Sequence, residues 1–268
     1  MVTLRYLAKG DFLSEVSDLH GISRSSSCRV SNAVVSSINK NLININFPFS
    51  DAEKRRIKEG FYKIARFPNV LGAIDGTLIP IIAPMEDETI YVCRKGFHAI
   101  NVQVVVNADL RFINLVCKWP GSVHDSFMLK NSGLHEHMDN HGNGWLVGDS
   151  GYPLRPWLMT PIIRPRTVAE ERYNDAHSKT RVTVERAFGV CKSRFRCIHK
   201  TGGHLPFQPP KCVKIITAVF KLHNLAIDEK LPLGYDIDDN EENDNDVVFN
   251  GLVSESGNII RQKLLLRF

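Results

Sequence analysis

No apolar run in this sequence reaches the roughly 18 residues that a membrane-spanning helix needs, and Lys9 and Asp11 break the N-terminal stretch before a secretory core forms. A soluble, intracellular protein is therefore the expectation, with no membrane partner. Cysteine is scattered: Cys28, Cys93, Cys117, Cys191, Cys197 and Cys212 form no Cys-x-x-Cys pair and no Cys/His cluster at zinc-finger spacing. Reduced, mostly buried thiols are expected rather than a disulfide framework. There is no internal repeat and no strong Lys/Arg-rich import cluster.

What is present is ordinary globular material. With 43% hydrophobic and 24% charged residues in 268, the chain is neither wholly disordered nor fibrous, and its length suits one large domain with a small one attached. Charge is uneven. Seven of the 29 acids lie in 236–246 without a base, which leaves 34 Lys and Arg against 22 acids, a formal +12 in place of +5 overall. A body this basic favours a polyanionic partner.

Hydrophobic period divides the chain into four segments. In 1–46, a helix-turn-helix-like helical segment, Phe12, Val16 and Leu19 keep helical spacing, Gly21-Ile22-Ser23 interrupts, and Val30, Ala33, Val34 and Ile38 resume it. Segment 47–68 is a linker and bridging helix: Phe47-Pro48-Phe49 connects to a helix over 52–65 that carries Lys54, Arg55, Arg56, Lys58 and Lys63. From 69 to 230 the pattern is α/β. Strands are expected at 70–74, 78–82, 100–106, 112–119 and 145–147, with a hairpin turn at Asn107-Ala108-Asp109. A long helix opens on the capping box Thr167-Val168-Ala169-Glu170 and later lines up Val184, Phe188, Cys191, Phe195 and Ile198; a last apolar helix covers 212–227. Segment 231–268 reads as an acidic, disordered tail, with 264–266 docking back.

The chemistry lies in where certain acids sit. Asp75 falls within an apolar strand, Asp149 closes another, and Glu185 lies beside the apolar stripe of the long helix. Desolvating an unpaired carboxylate costs several kcal/mol, so such acids need partners. A divalent cation is a sufficient one: Mg²⁺ and Mn²⁺ take a few carboxylates plus water and phosphate oxygens, the chemistry of metal-assisted phosphoryl transfer. Gly189, one turn beyond Glu185, would let a strand end or phosphate approach the helix. Asp125 is a fourth acid, in Gly121-Ser122-Val123-His124-Asp125-Ser126, where Ser122 is a candidate helix cap. Taken singly, each acid reads more simply as a capping or salt-bridged residue. Adjacent His124 and Asp125 also suggest a metal phosphohydrolase, but matching helical histidines are missing. Trp119, Trp145 and Trp157 sit in apolar runs and read as core.

Five runs, VLGAIDGT at 70–77, YVCRKGFH at 91–98, WPGSVHDS at 119–126, WLVGDSGY at 145–152 and TVERAFGVCKSRF at 183–195, together resemble the PIF/Harbinger transposase family and its domesticated nuclease-like relatives. The resemblance extends over 3–227. It implies an RNase H-like DDE catalytic domain, a mixed sheet with flanking helices, behind an N-terminal helix-turn-helix. Asp75, Asp149 and Glu185 match the catalytic triad, and Asp125 a further acid; these four are the implied ligands of Mg²⁺ or Mn²⁺, cutting DNA by a two-metal mechanism. A domesticated DNA-binding or assembly protein without cleavage activity is the alternative. The family usually has further helical sequence upstream, so a helix completing the DNA-binding module is expected to be missing here. A Myb-like DNA-binding partner and nuclear residence, with cytoplasm also allowed, follow from the resemblance; a homo-oligomer is left open.

For DNA contact the candidates are Ser23, Arg24, Ser25 and Arg29 at the start of the second helix of the helix-turn-helix, where recognition residues lie. An α-hairpin packed on the core is the competing reading, and the resemblance favours DNA. Around Glu185, Arg186, Lys192, Arg194 and Arg196 are candidate phosphate contacts, with Lys179 and Arg181 on the same helix.

Overall fold

The computed structural model describes residues 1–232 and 254–268; the acidic run 236–246 lies outside the described residues. Helices α1 (Val2–Lys9), α2 (Leu13–Leu19), α3 (Arg24–Asn41) and α4 (Asp51–Ala65) precede strand β1 (Val70–Pro80). A short α5 (Glu88–Tyr91) leads to β2 (Ala99–Val106) and β3 (Phe112–Pro120). Next come α6 (Asp125–Lys130), α7 (Gly133–His141), β4 (Trp145–Val147) and β5 (Leu158–Met159), then α8 (Val168–Arg194), α9 (Pro209–Asp228) and α10 (Glu255–Leu265).

β1, β2 and β3 form an antiparallel meander. Its second turn is closed by Asn107, whose side-chain oxygen accepts from the Asp109 and Arg111 N–H groups at 3.0 Å each. β4 and β5 add in parallel on the far side of β1, giving the order β3-β2-β1-β4-β5. A parallel neighbour needs a crossover, which α6 and α7 supply. The result is the mixed, helix-flanked sheet of an RNase H-like domain.

β2 is buried at every position, because both faces of the sheet are covered. Val102, Val104 and Val106 pack with Leu7, Val35, Phe61, Val184 and Phe220 from the helices on one face. Val105 and Leu146 pack on the other face with Leu129, Leu134, Met138 and Trp157. The expected stripe Val184, Phe188, Cys191, Phe195 and Ile198 is buried, and the Thr167/Glu170 capping box forms. All six cysteines are free, four of them buried. Among the described residues no helix is long and apolar enough to cross a membrane.

Several expectations need correction. Phe12, Leu19 and Val30 are exposed, whereas α3 buries Ser27, Ser31 and Val35. Small side chains let α2 and α3 approach closely, and the buried Ser17 hydroxyl finds a partner in the Ser27 hydroxyl at 2.8 Å. An unexpected first helix, α1, buries Tyr6 and Leu7. β1 runs unbroken through Asp75-Gly76-Thr77. The expectation of disorder over 231–268 falls for 233–253 outside the described residues, and at the end the chain is ordered: α10 is helical, Leu264 and Leu265 are buried, Leu266 is exposed, and the Phe268 ring lies 5.5 Å from Phe67 and 5.8 Å from Tyr173. Apolar burial at the very end outweighs the acidic composition before it.

Candidate active site

Strand register decides which way the first acid points. Asp75 pairs with Val104 and Gly76 with Gln103, and successive residues of a strand face opposite sides. Asp75 therefore shares the face of Val104 and α8, and Gly76 the face of Gln103 and α6. The Asp75 side chain is 17% exposed, and its Oδ1 accepts the Gly76 N–H at 2.8 Å.

Asp125 opens α6 and lies directly against Gly76. A Cβ on that glycine would sit 2.4 Å from Asp125 Oδ1, so any other residue here would force that carboxylate to move. Asn101 Nδ2 donates to Asp125 Oδ1 at 2.9 Å and to the Val123 carbonyl at 2.8 Å. Two residues along β2, Gln103 Nε2 donates to the Asp125 carbonyl at 3.1 Å and to Tyr152 Oη at 2.8 Å. Ser122 does not cap this helix: the capping position is His124, which makes no side-chain cap bond, because the helix starts only at Asp125. Asp149 follows β4 after Gly148, and its Oδ1 accepts the Gly151 N–H at 3.1 Å.

α8 brings the fourth acid. His177, Arg181 and Glu185 recur every four residues and so share one face. His177 is buried at 2% exposure, with Nε2 3.1 Å from the Met159 carbonyl. A carbonyl only accepts, so that nitrogen carries the proton and ties α8 to β5. Tyr173 Oη adds a second tie, donating to the Thr160 carbonyl at 2.9 Å. Arg181 then spans two acids, with Nη2 2.7 Å from Glu185 Oε1 and Nη1 3.6 Å from Asp75 Oδ2.

The aspartates act on one another electrostatically. Burial and then the Asp149 charge hold the Asp75 carboxyl well above the usual carboxylate range; Arg181 opposes this, and Asp125 adds to it. Burial and then the charges of Asp125, Asp75 and Asp149 push the Tyr152 phenol well up. Nearby, the buried Asn101 Oδ1 and Gln103 Oε1 accept no hydrogen bond. Among the described residues no three His, Cys, Asp or Glu side chains close on a point as a finished metal cage. The donor set nevertheless fits a hard divalent cation: carboxylate and amide oxygens in excess of positive charge, all on β1, β2, α6, the β4 end and α8.

The proposed DNA contacts divide. Ser23 caps α3, accepting the Ser26 N–H at 3.2 Å, and Arg24, Ser25 and Arg29 stand exposed on its first two turns. Farther along, α3 is fastened to α9, where Asn39 Nδ2 donates to the Lys214 carbonyl at 2.8 Å. Arg186 and Arg196 are exposed, and Lys192 Nζ lies 5.7 Å from the Phe188 ring. Arg194 differs from these: its Nη2 donates to the Leu231 carbonyl at 2.9 Å, since it shares the helix face of buried Ala187, Val190 and Cys191. Reading the sequence missed Asn101, Gln103, Tyr152 and His177. Two amides at i and i+2 in an otherwise apolar strand were the available signal.

The family model for a DDE superfamily endonuclease matches residues 74–224, a span that contains all four acids. The bovine and human proteins named "Putative nuclease HARBI1" are each 36% identical over 231 residues, covering 85% of this chain and 66% of their own length. "Protein ALP1-like" of Arabidopsis thaliana is 31% identical over 248 residues, covering 85% of this chain and 59% of its own. This chain thus spans 66% of the length of the mammalian relatives and 59% of the plant one. No solved structure matches it.

Proposed function

This chain belongs to the DDE superfamily endonuclease family, and from that membership we propose that it is a divalent-metal-dependent DNA endonuclease of Harbinger transposase type. The observation that carries the reading is the gathering of Asp75, Asp125 and Asp149, close enough that burial and mutual charge hold Asp75 well above its usual range. Such a cluster costs stability until a cation offsets it.

Mg²⁺ or Mn²⁺ bound there would lower the pKa of an attacking water or DNA 3′-hydroxyl and offset charge on the leaving oxygen. The chain's own part is placement. Adjacent strands β1 and β4 set the spacing of Asp75 and Asp149. Asn101 and Gly76 hold Asp125 in place from two sides. α8, tied to β5 through His177 and to the following Thr160 carbonyl through Tyr173, presents Glu185. Tyr152, its phenol kept protonated by burial and three carboxylates, accepts from Gln103 Nε2 and so steadies the amide that also holds the Asp125 carbonyl.

In this reading 69–230 is the nuclease unit and 1–46 helps hold DNA, through Ser23, Arg24, Ser25 and Arg29. Arg186, Lys192 and Arg196 track phosphates near the acids. The Harbinger resemblance supports a Myb-like partner and a nuclear setting. Calorimetric Mn²⁺ titration and nicking of supercoiled plasmid test the proposal. Mn²⁺ should bind and support nicking, and Asp75→Asn, Asp149→Asn and Glu185→Gln should each cut nicking by roughly a hundredfold or more while sparing DNA binding. Variants that nick like the parent would refute the site. Metal binding and DNA binding without any nicking would favour the non-cleaving assembly protein.

A further inference from the structure

We propose that Arg181 is a resident counter-cation of the acid cluster, holding Asp75 and Glu185 until a divalent ion displaces it, so that metal affinity is set by that competition. The inference rests on the reading of these acids as a metal site and adds a role for a residue outside the four carboxylates.

The geometry points to this role through three features. Helical spacing places Arg181 one turn before Glu185 on the same face, so the i,i+4 pair is built into α8. The guanidinium does not stop at that pair: it reaches 2.7 Å from Glu185 Oε1 and 3.6 Å from Asp75 Oδ2, joining a helix acid to a strand acid. Its side chain is only 20% exposed and meets an Asp75 side chain that is 17% exposed, so water screens the contact weakly. A planar guanidinium that stays charged at any working pH suits a span between two carboxylates.

Two cations cannot share those oxygens. An ion entering between Asp75 and Glu185 must take at least one carboxylate from Arg181, and the like charges repel as it does so. Arg181 thereby keeps the acids assembled in the metal-free protein and weakens the first ion's hold on them. A residue that merely positioned Glu185 for the metal would act the other way, because its loss would scatter the ligands.

The two roles therefore predict opposite signs in a titration of the full chain with Mn²⁺ alone, without DNA, with parent and variants held at one common pH. Arg181→Gln should bind Mn²⁺ roughly tenfold more tightly than the parent. It should also melt at a lower temperature without metal and gain more from added Mn²⁺. Arg181→Lys keeps the charge but not the two-pronged span, so it should fall between the two. Equal or weaker Mn²⁺ binding by Arg181→Gln, with the parent binding normally, overturns the inference and leaves the metal site standing. Should Arg181→Gln fail to fold, unchanged or weaker binding by Arg181→Lys overturns it. Absence of Mn²⁺ binding in the parent would remove the metal reading and this inference with it.

Discussion

Acid should loosen the helix that presents Glu185, and substituting His177 should remove a measurable share of that effect. The His177 ring is buried with its proton donated to the Met159 carbonyl, and burial pushes its pKa down to about 4, against about 6.5 in an unfolded chain. Between those values the unfolded state binds a proton that the folded state refuses, so stability falls as pH falls. The slope is about 1.4 kcal/mol per pH unit, and the whole window is worth at most about 3 kcal/mol. His223, also held near 4 by burial, with Nε2 2.9 Å from the Leu110 carbonyl, adds a term of the same sign. Asp75 has the opposite sign: its raised pKa contributes stability that is present in acid and lost as pH rises. Comparing the parent with His177→Gln cancels the His223 and Asp75 terms, and glutamine keeps an N–H donor for Met159. Urea unfolding at several pH values between about 4 and about 6.5 should show a shallower loss in the variant, by up to about 1.4 kcal/mol per unit. Parallel pH profiles would refute the reasoning, since His177 would then be as protonated in the fold as in the unfolded chain.

Other substitutions probe the remaining parts of the account. Gly76→Ala puts a Cβ 2.4 Å from Asp125 Oδ1. The short carboxylate can swing away, so urea unfolding should show a loss of about 1 kcal/mol, while calorimetry should show Mn²⁺ affinity falling by roughly tenfold. Asp75→Asn removes charge from a crowded anionic cluster and should raise the metal-free melting temperature even as metal binding weakens. On the DNA side, Arg29→Ala should change sequence preference, and Lys192→Ala should weaken all duplexes alike, lowering the salt slope by about 0.9. Arg194→Ala should instead lower the melting temperature with little change in salt slope, because its guanidinium is committed to Leu231.

Legibility in the sequence followed how conspicuous each residue was against its neighbours. A carboxylate inside VLGAIDGT or directly after WLVG violates strand hydrophobicity, so Asp75 and Asp149 stood out, and β1 and β4 bring them side by side. The polar pair Asn101 and Gln103 in AINVQVVV breaks its strand in the same way, yet amides need only hydrogen bonds and carry no obvious chemistry. The Arg181 and Glu185 spacing was visible, but a helical i,i+4 pair is usually a solvated surface feature; only the fold brings Asp75 to its far side. The N-terminal helices misled because their interface is built on Ser17, Ser27 and Ser31, while Phe12 and Leu19 point outward. β5, at two residues, is too short to show any period, and the Arg194 bond to the Leu231 carbonyl depends on helix face, which a count of charges does not weigh.

The most direct test is an anomalous-difference map from crystals soaked in Mn²⁺, phased on the protein and compared with a map from Asp149→Asn crystals treated alike. The account predicts strong peaks within ligating distance of the Asp75 and Asp149 carboxylates, with Glu185 turned from Arg181 towards the ion, and loss of at least one peak in the variant. Peaks confined to surface histidines, or an acid cluster that holds no Mn²⁺ while Arg181 still spans Asp75 and Glu185, would contradict it.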